Sequence, residues 1–251
     1  MNHIFANMIA ELWLKIYMDD LGIHTNDTLT LHHEHTHHVL QHLREHGLFL
    51  KISKCSFNTP TMEYLGMIIR QGLVHMDPAK LSAITTWKPP TSVKGVCSFL
   101  SFANFYQKFI PNYSNIVTLL TALTKKDQPW TWSPLQQCTF DTLRQLFFSI
   151  LVLSIPDVSK PFSLTTDMSL LAAGVVLMQK DINGDSHPCA YFSKTFSLAE
   201  HNHDIYDREL LAIILTLSEW KHYLQGTPHP VSVITDHKNL SYIKDPCKLS
   251  R

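Results

Sequence analysis

The sequence lacks an excess of either charge, a long apolar run and any closely paired cysteines. Lys and Arg number 21 against 21 Asp and Glu, and a dedicated nucleic-acid binder carries a clear positive excess instead. Charged residues make up 17% of the chain, below the usual quarter or so. No stretch approaches the roughly 18 consecutive apolar residues of a membrane span. The start, Met1 to Met8, has neither the basic stretch nor the clean apolar run of a signal peptide. Cys55, Cys97, Cys138, Cys189 and Cys247 form no C-x-x-C pair, which argues against a zinc ribbon or knuckle and suits free thiols in a reducing compartment. The expectation is an intracellular chain, in cytoplasm or nucleus, without membrane association. What is present is 251 residues, 45% of them hydrophobic, enough for about two domains with cores of their own.

Residues 1–76 read as helix end, hairpin, helix, hairpin. Leu14 to Tyr17 and Leu21 to His24 flank Met18-Asp19-Asp20 as two short strands around an acidic turn. Residues 28–47 carry Leu29, Leu31, Val39, Leu40 and Leu43 among polar positions and read as an amphipathic helix, with Gly47 as the stop. Leu48 to Leu50 and Tyr64 to Ile69 look like strands separated by a turn near Pro60. Residues 77–128 read as a small helical module. Asp77-Pro78 and Ser92 supply helix starts, and a third short helix holds Ile116, Leu119, Leu120 and Leu123. Residues 129–160 form a connecting helix, about 134–148, and a linker. From 161 to 251 the period becomes two: strands at 162–166, 172–178 and 189–193, a helix at 203–224, a strand at 231–235 and a short helical segment. Asn183-Gly184 marks a hairpin turn. The fold class is mixed, α+β followed by an α/β domain with a mixed sheet.

Tyr17-Met18-Asp19-Asp20 puts two carboxylates at a hairpin tip, where like charges repel unless a cation sits between them. Oxygen ligands of this kind suit magnesium. The segment resembles the Y-x-D-D motif of reverse transcriptases. Met1 to Phe5 resembles the end of the palm helix before that motif. Gly47-Leu48, Lys54-Cys55-Ser56-Phe57, Tyr64-Leu65-Gly66 and Gly72 resemble the primer-grip region of gypsy-type retrotransposon polymerases, and Ser98 to Tyr106 with Phe109-Ile110 resembles their thumb. Two departures are Ser101 for the family's Gly and Gln107 for its Arg. The resemblance implies Asp19 and Asp20 as catalytic metal ligands. Tyr17, Met18, Lys51, Lys54, Gly66, Lys94 and Lys108 are then candidates for contact with primer and template. Trp87, Trp130 and Trp132 are expected to pack rather than stack on bases.

In the last 90 residues Thr166-Asp167, Glu209 in Tyr206 to Ala212, and Thr235-Asp236 lie at predicted strand ends and on a helix. Carboxylates so placed can converge on two magnesium ions about 3.5–4 Å apart. The three segments resemble the RNase H motifs of the same family, with Met168 where Ala is usual. The resemblance implies Asp167, Glu209 and Asp236 as catalytic ligands of Mg2+, with Mn2+ able to substitute, and an RNA–DNA hybrid or primer–template as partner.

His33-Glu34-His35-Thr36-His37 satisfies H-E-x-x-H on a predicted helix, and His38, His42 and His46 continue an i, i+4 ladder. No third ligand follows in a protease frame, so a solvated helix face is expected. The family's polymerase needs a further upstream Asp, and its RNase H domain a fourth acid, a last strand and a last helix; none falls within these residues. The expectation is a piece of a larger polyprotein: palm to 76, thumb over 77–128, connection over 129–160, RNase H-like domain over 161–251. Both active sites are then incomplete, leaving weak or no activity. The alternative is a non-catalytic nucleic-acid-binding remnant, and the remote one a zinc protease.

Overall fold

In a computed structural model the chain is described over residues 2–11, 13–25, 28–70, 72–149, 152–169 and 172–235. It divides into two compact units, Met1–Gln71 and Gly72–Arg251.

The first unit runs α1 (Ala6–Ala10), β1 (Leu14–Tyr17), β2 (Asp20–Ile23), α2 (Leu29–Glu45), β3 (Thr61–Tyr64) and β4 (Met67–Arg70). Phe5, Leu14, Val39 and Leu43 form its core, with Trp13, Ile16, Leu21 and Leu48 packed around them. Thr28 Oγ1 accepts from the Leu31 N–H to start α2. At its end the Leu48 N–H donates to the Leu43 carbonyl (2.9 Å) and the Gly47 N–H to Arg44 (3.2 Å), with Gly47 at φ 64°, the bonding of a Schellman stop. That stop corrects the expected strand at Leu48–Leu50. Leu48 closes the helix, and Phe49 and Leu50 leave it exposed with no strand beside them. The expected strand at Tyr64–Ile69 is instead a hairpin bend. Leu65 and Gly66 both take positive φ in a two-residue turn between Tyr64 and Met67, the geometry that matches strand twist.

The second unit begins with β5 (Leu73–Met76), α3 (Pro78–Thr85), α4 (Val93–Phe105), α5 (Tyr113–Ile116), α6 (Thr118–Ala122), α7 (Pro134–Phe148) and β6 (Leu153–Ser154). Strands β5 and β6 pair antiparallel. Asp77, Ser92 and Ser133 cap α3, α4 and α7 through their side chains. Trp87 meets Phe99 and Phe102 edge-on at 5.6 and 5.7 Å, and Trp132 meets Phe140 at 6.2 Å, so these indoles pack as expected. The third helix of this module is split into α5 and α6. The Ser114 carbonyl accepts from Thr118 Oγ1 (2.9 Å) and Thr195 Oγ1 (3.5 Å), and such side-chain bonds compete with the helical ladder.

Strands β7 (Phe162–Met168), β8 (Ala172–Lys180) and β9 (Ser186–Thr195) follow, then α8 (Leu198–His201), α9 (Ile205–Glu219), α10 (Lys221–Leu224) and β10 (Ser232–Ile234). The sheet order is β10-β7-β8-β9, with β10 parallel to β7 and the other pairs antiparallel. Phe162, Leu164, Val175, Leu177 and Trp220 fill the core on one face. Ala173, Phe196 and Ala212, with Met168 against them, fix α9 on the sheet. The short helical segment expected after residue 235 lies outside the described residues.

One titration follows from α8. The Ser197 N–H donates to Glu200 Oε2 (2.7 Å) and Lys194 Nζ to Oε1 (3.0 Å), a capping box that holds the Glu200 carboxyl far below its ordinary value, at about 2. A carboxyl depressed on folding adds stability above its unfolded value, and that stability drains away as pH falls toward the folded one. Glu200→Gln should therefore lower the melting temperature at about pH 7, with the difference closing as pH falls from about 4.5 to 2. Melts followed by circular dichroism check it; a difference that does not change with pH refutes it.

Candidate functional site

Two sets of carboxylates, one in each unit, are the candidates. In the first unit Tyr17 pairs with Asp20 across β1 and β2, which leaves Met18 and Asp19 as a two-residue turn. Met18 sits at φ 52°, a left-handed backbone that costs a non-glycine residue roughly 1–2 kcal/mol. The turn thrusts Tyr17, Met18, Asp19 and Asp20 into solvent. Behind it Gly22 faces Tyr64, and a Cβ at Gly22 would lie 3.6 Å from that ring. Burial, and then the charge of Asp20, raise the Tyr64 phenol above its ordinary value. The β3–β4 hairpin thus lies against the acidic hairpin, with Gly66 in its turn. Lys51 precedes and Lys54 ends a short 3-10 turn in the same unit, both exposed. In the second unit Lys94 is exposed on the first turn of α4, and Lys108 Nζ lies 5.7 Å over the Phe109 ring.

The histidine-rich helix divides by face. His35 stacks on Trp13 at 4.0 Å, and Thr25 Oγ1 bonds Nδ1 of His32 (3.1 Å) and of His35 (3.3 Å). His42 Nε2 donates to the Ile4 carbonyl (2.9 Å). His33, Glu34 and His37, the residues of the protease-like motif, are exposed. Among the described residues no group of three or more His, Cys, Asp or Glu is placed to hold a metal ion.

In the second unit Asp167 lies exposed near the end of β7. Glu209, on the second turn of α9, is 1% exposed. Its Oε1 accepts from Thr235 Oγ1 just beyond β10, and its Oε2 is buried with no hydrogen-bond partner among the described residues. Thr166 Oγ1 donates to the Ile234 carbonyl (3.4 Å), which ties the ends of the two parallel strands together. Asp236 lies outside the described residues; its neighbour Thr235 is the residue that touches Glu209. A buried carboxylate oxygen without a donor is costly, and a cation is the partner that suits it. The oxygen donors fit magnesium or manganese.

The sequence reading missed Asn112. Its Nδ2 donates to Asp167 Oδ2 (2.8 Å) across 55 residues of chain. The available signal was Gly174, alone in the apolar run Ala172 to Leu177, since glycine inside a strand marks close approach of another group.

Comparison with known proteins places both sets in one frame. Residues 1–69 match the family model described as reverse transcriptase (RNA-dependent DNA polymerase). Residues 132–233 match that of the RNase H-like domain found in reverse transcriptase. The transposon Tf2-3 polyprotein of Schizosaccharomyces pombe is 36% identical over 230 residues, and the Tf2-7 polyprotein of the same yeast 34% over 232. Each alignment covers 92% of this chain, which spans 17% of the length of these relatives. Among solved structures, the foamy viral protease-reverse transcriptase in complex with RNA/DNA hybrid superposes with a TM-score of 0.80 at 20% identity. That match covers 98% of this chain and 33% of the viral one. The same viral protein with dsDNA gives 0.78, covering 99% and 52%. No described helix is long and apolar enough to cross a membrane. With the two family models in this order and the Tf2 relatives aligned along both, the chain belongs to the reverse transcriptase and RNase H family of gypsy-type retrotransposon polyproteins.

Proposed function

We propose that the second unit carries an RNase H-type site that hydrolyses the RNA strand of an RNA–DNA hybrid, within a larger polyprotein that also copies RNA into DNA. The observation that carries this reading is Glu209 Oε2, a buried carboxylate oxygen without a donor among the described residues, on the helix that packs over the strand bearing Asp167. Asp167, Glu209 and Asp236 would hold Mg2+, or Mn2+ in its place. When bound, the metal supplies an activated water and neutralises charge at the leaving oxygen. The protein's own part is positional. Thr235 fixes Oε1 of Glu209, so the other oxygen of that carboxylate faces one way, and Asp167 at its strand end stays open to a phosphate backbone.

In the same reading residues 1–76 are the palm segment, with Asp19 and Asp20 as its metal-binding pair and Tyr17, Met18 and Gly66 beside the primer terminus. Residues 77–128 serve as thumb and 129–160 as connection. Lys51, Lys54, Lys94 and Lys108 meet phosphates as point charges, a contact that weakens with salt.

The test is incubation of the chain with a hybrid labelled on its RNA strand, with Mg2+ and separately with Mn2+. The expected result is weak metal-dependent cleavage of RNA alone, stronger with Mn2+ than with Mg2+ and lost in Asp167→Asn. A folded protein that binds the hybrid yet never cleaves it, or whose Asp167→Asn variant cleaves as well, refutes the reading.

A further inference from the structure

The inference concerns what holds Asp167, and it rests on the reading of Asp167 as a metal ligand. Register places Asp167 of β7, Gly174 of β8 and Ser193 of β9 on one row across the sheet. The segment Asn112–Ser114 lies along that row. At one end the Ser114 N–H donates to Ser193 Oγ and Ser114 Oγ donates to the Ser193 carbonyl, both at 2.8 Å. At the other, Asn112 Nδ2 donates to Asp167 Oδ2 at 2.8 Å. Between them, Asn112 Oδ1 occupies the space a side chain at 174 would need: a Cβ there would lie 1.8 Å from it.

Three features show a seat built for this amide. Asn112 sits at φ 52°, a conformation that Asn tolerates better than most residues. It stands at the N-cap position of α5, yet makes no capping bond, so its side chain is committed elsewhere. The strand opposite carries glycine at the one point where a methyl group would evict it. A neutral amide adds a donor without adding charge. It satisfies one lone pair of Oδ2, fixes the carboxylate plane, and leaves Oδ1 and the remaining lone pair of Oδ2 for a cation. A small cleft of about 20 Å³, lined by Asn112, Asn115, Asp167, Ser169 and Ala172, opens at this point.

We propose that Asn112 is a positioning residue for the metal site: it acts through Asp167, orienting that carboxylate for a divalent cation. Partners of this kind are worth roughly 10- to 100-fold in metal affinity.

The experiment measures Mn2+ affinity of the full chain by calorimetry and by the Mn2+ electron paramagnetic resonance signal, with melting followed in parallel. Asn112→Gly keeps the backbone conformation and removes the amide; it should weaken Mn2+ binding about 10-fold or more. Gly174→Ala keeps the amide but blocks its seat, and should do the same. Asn183→Ala, in the exposed turn between β8 and β9, should leave affinity unchanged. Asp167→Asn tests the underlying reading by itself. If it leaves Mn2+ binding intact, the site assignment fails. If Asp167→Asn loses the metal while Asn112→Gly binds it as well as or better than the parent, this inference alone is overturned. A lower melting temperature in Asn112→Gly with unchanged affinity marks a merely structural role and overturns it equally.

Discussion

Glu209→Gln should raise the melting temperature of the metal-free protein while removing its metal-dependent hybrid cleavage. The two effects have one cause. Glu209 is buried, with one oxygen bonded to Thr235 and the other without a donor among the described residues. An ionised group held so is expensive when no cation answers it. Glutamine has the same shape, keeps an acceptor for Thr235, and replaces the unanswered charge with a neutral amide. The gain should be about 1 kcal/mol, since the new N–H2 is itself left short of an acceptor. Divalent metal should reverse the ranking. A ligand present at about 100 times its dissociation constant adds about 2.7 kcal/mol to the protein that binds it, and the variant forgoes this. Cleavage should fall about 100-fold or more, roughly 2.7 kcal/mol of barrier. Melting curves with and without Mn2+, beside the hybrid assay, check all three. A variant less stable than its parent without metal would mean that Oε2 is satisfied and the cation argument fails.

Phe99→Ala should cost about 3–5 kcal/mol, the largest single loss expected from a side chain. Phe99 is fully buried and its ring contacts Trp87 at 5.6 Å and Phe140 at 4.7 Å. It thereby joins α4 to α7 and to the chain leaving α3. Removing it leaves a cavity between rings that cannot collapse, because α7 is also tied down by Arg144, which donates to the Ile84 carbonyl (3.3 Å) and to that of Thr85. The comparison is Phe49→Ala. That ring is 96% exposed and its loss should stay within about 0.5 kcal/mol. Urea unfolding of the variants decides it. A Phe99 variant within about 1 kcal/mol of the parent would show that the cluster repacks.

Much of this architecture was legible because its signals are local. Asp77-Pro78 and Ser92 start helices through bonds that span two or three residues. The alternation from Phe162 onward sorts side chains between core and outer face before any partner strand is known. The readings that failed are those where a local pattern met a competing bond. Leu48–Leu50 has strand composition, but its first N–H is taken by the stop of α2. The single helix expected over Ile116 to Leu123 gives way to α5 and α6 where the Ser114 carbonyl accepts from the hydroxyl of Thr118 and, from some 80 residues away, that of Thr195.

The candidate sites divide in the same way. The acidic hairpin at Asp19-Asp20, the strand-end Asp167 and the helical Glu209 were named from residue type and order alone, since chemistry of this kind needs carboxylates whatever surrounds them. Which histidines of α2 pack and which face solvent, that Glu209 is sealed in with an oxygen to spare, and that Asn112 reaches Asp167 over Gly174 were decided only by tertiary structure. Those facts depend on strand register and on helices meeting across tens of residues. A contact between positions 55 apart leaves no periodicity in the chain that makes it; it exists only once β7, β8 and β9 have paired and brought Asp167, Gly174 and Ser193 into one row.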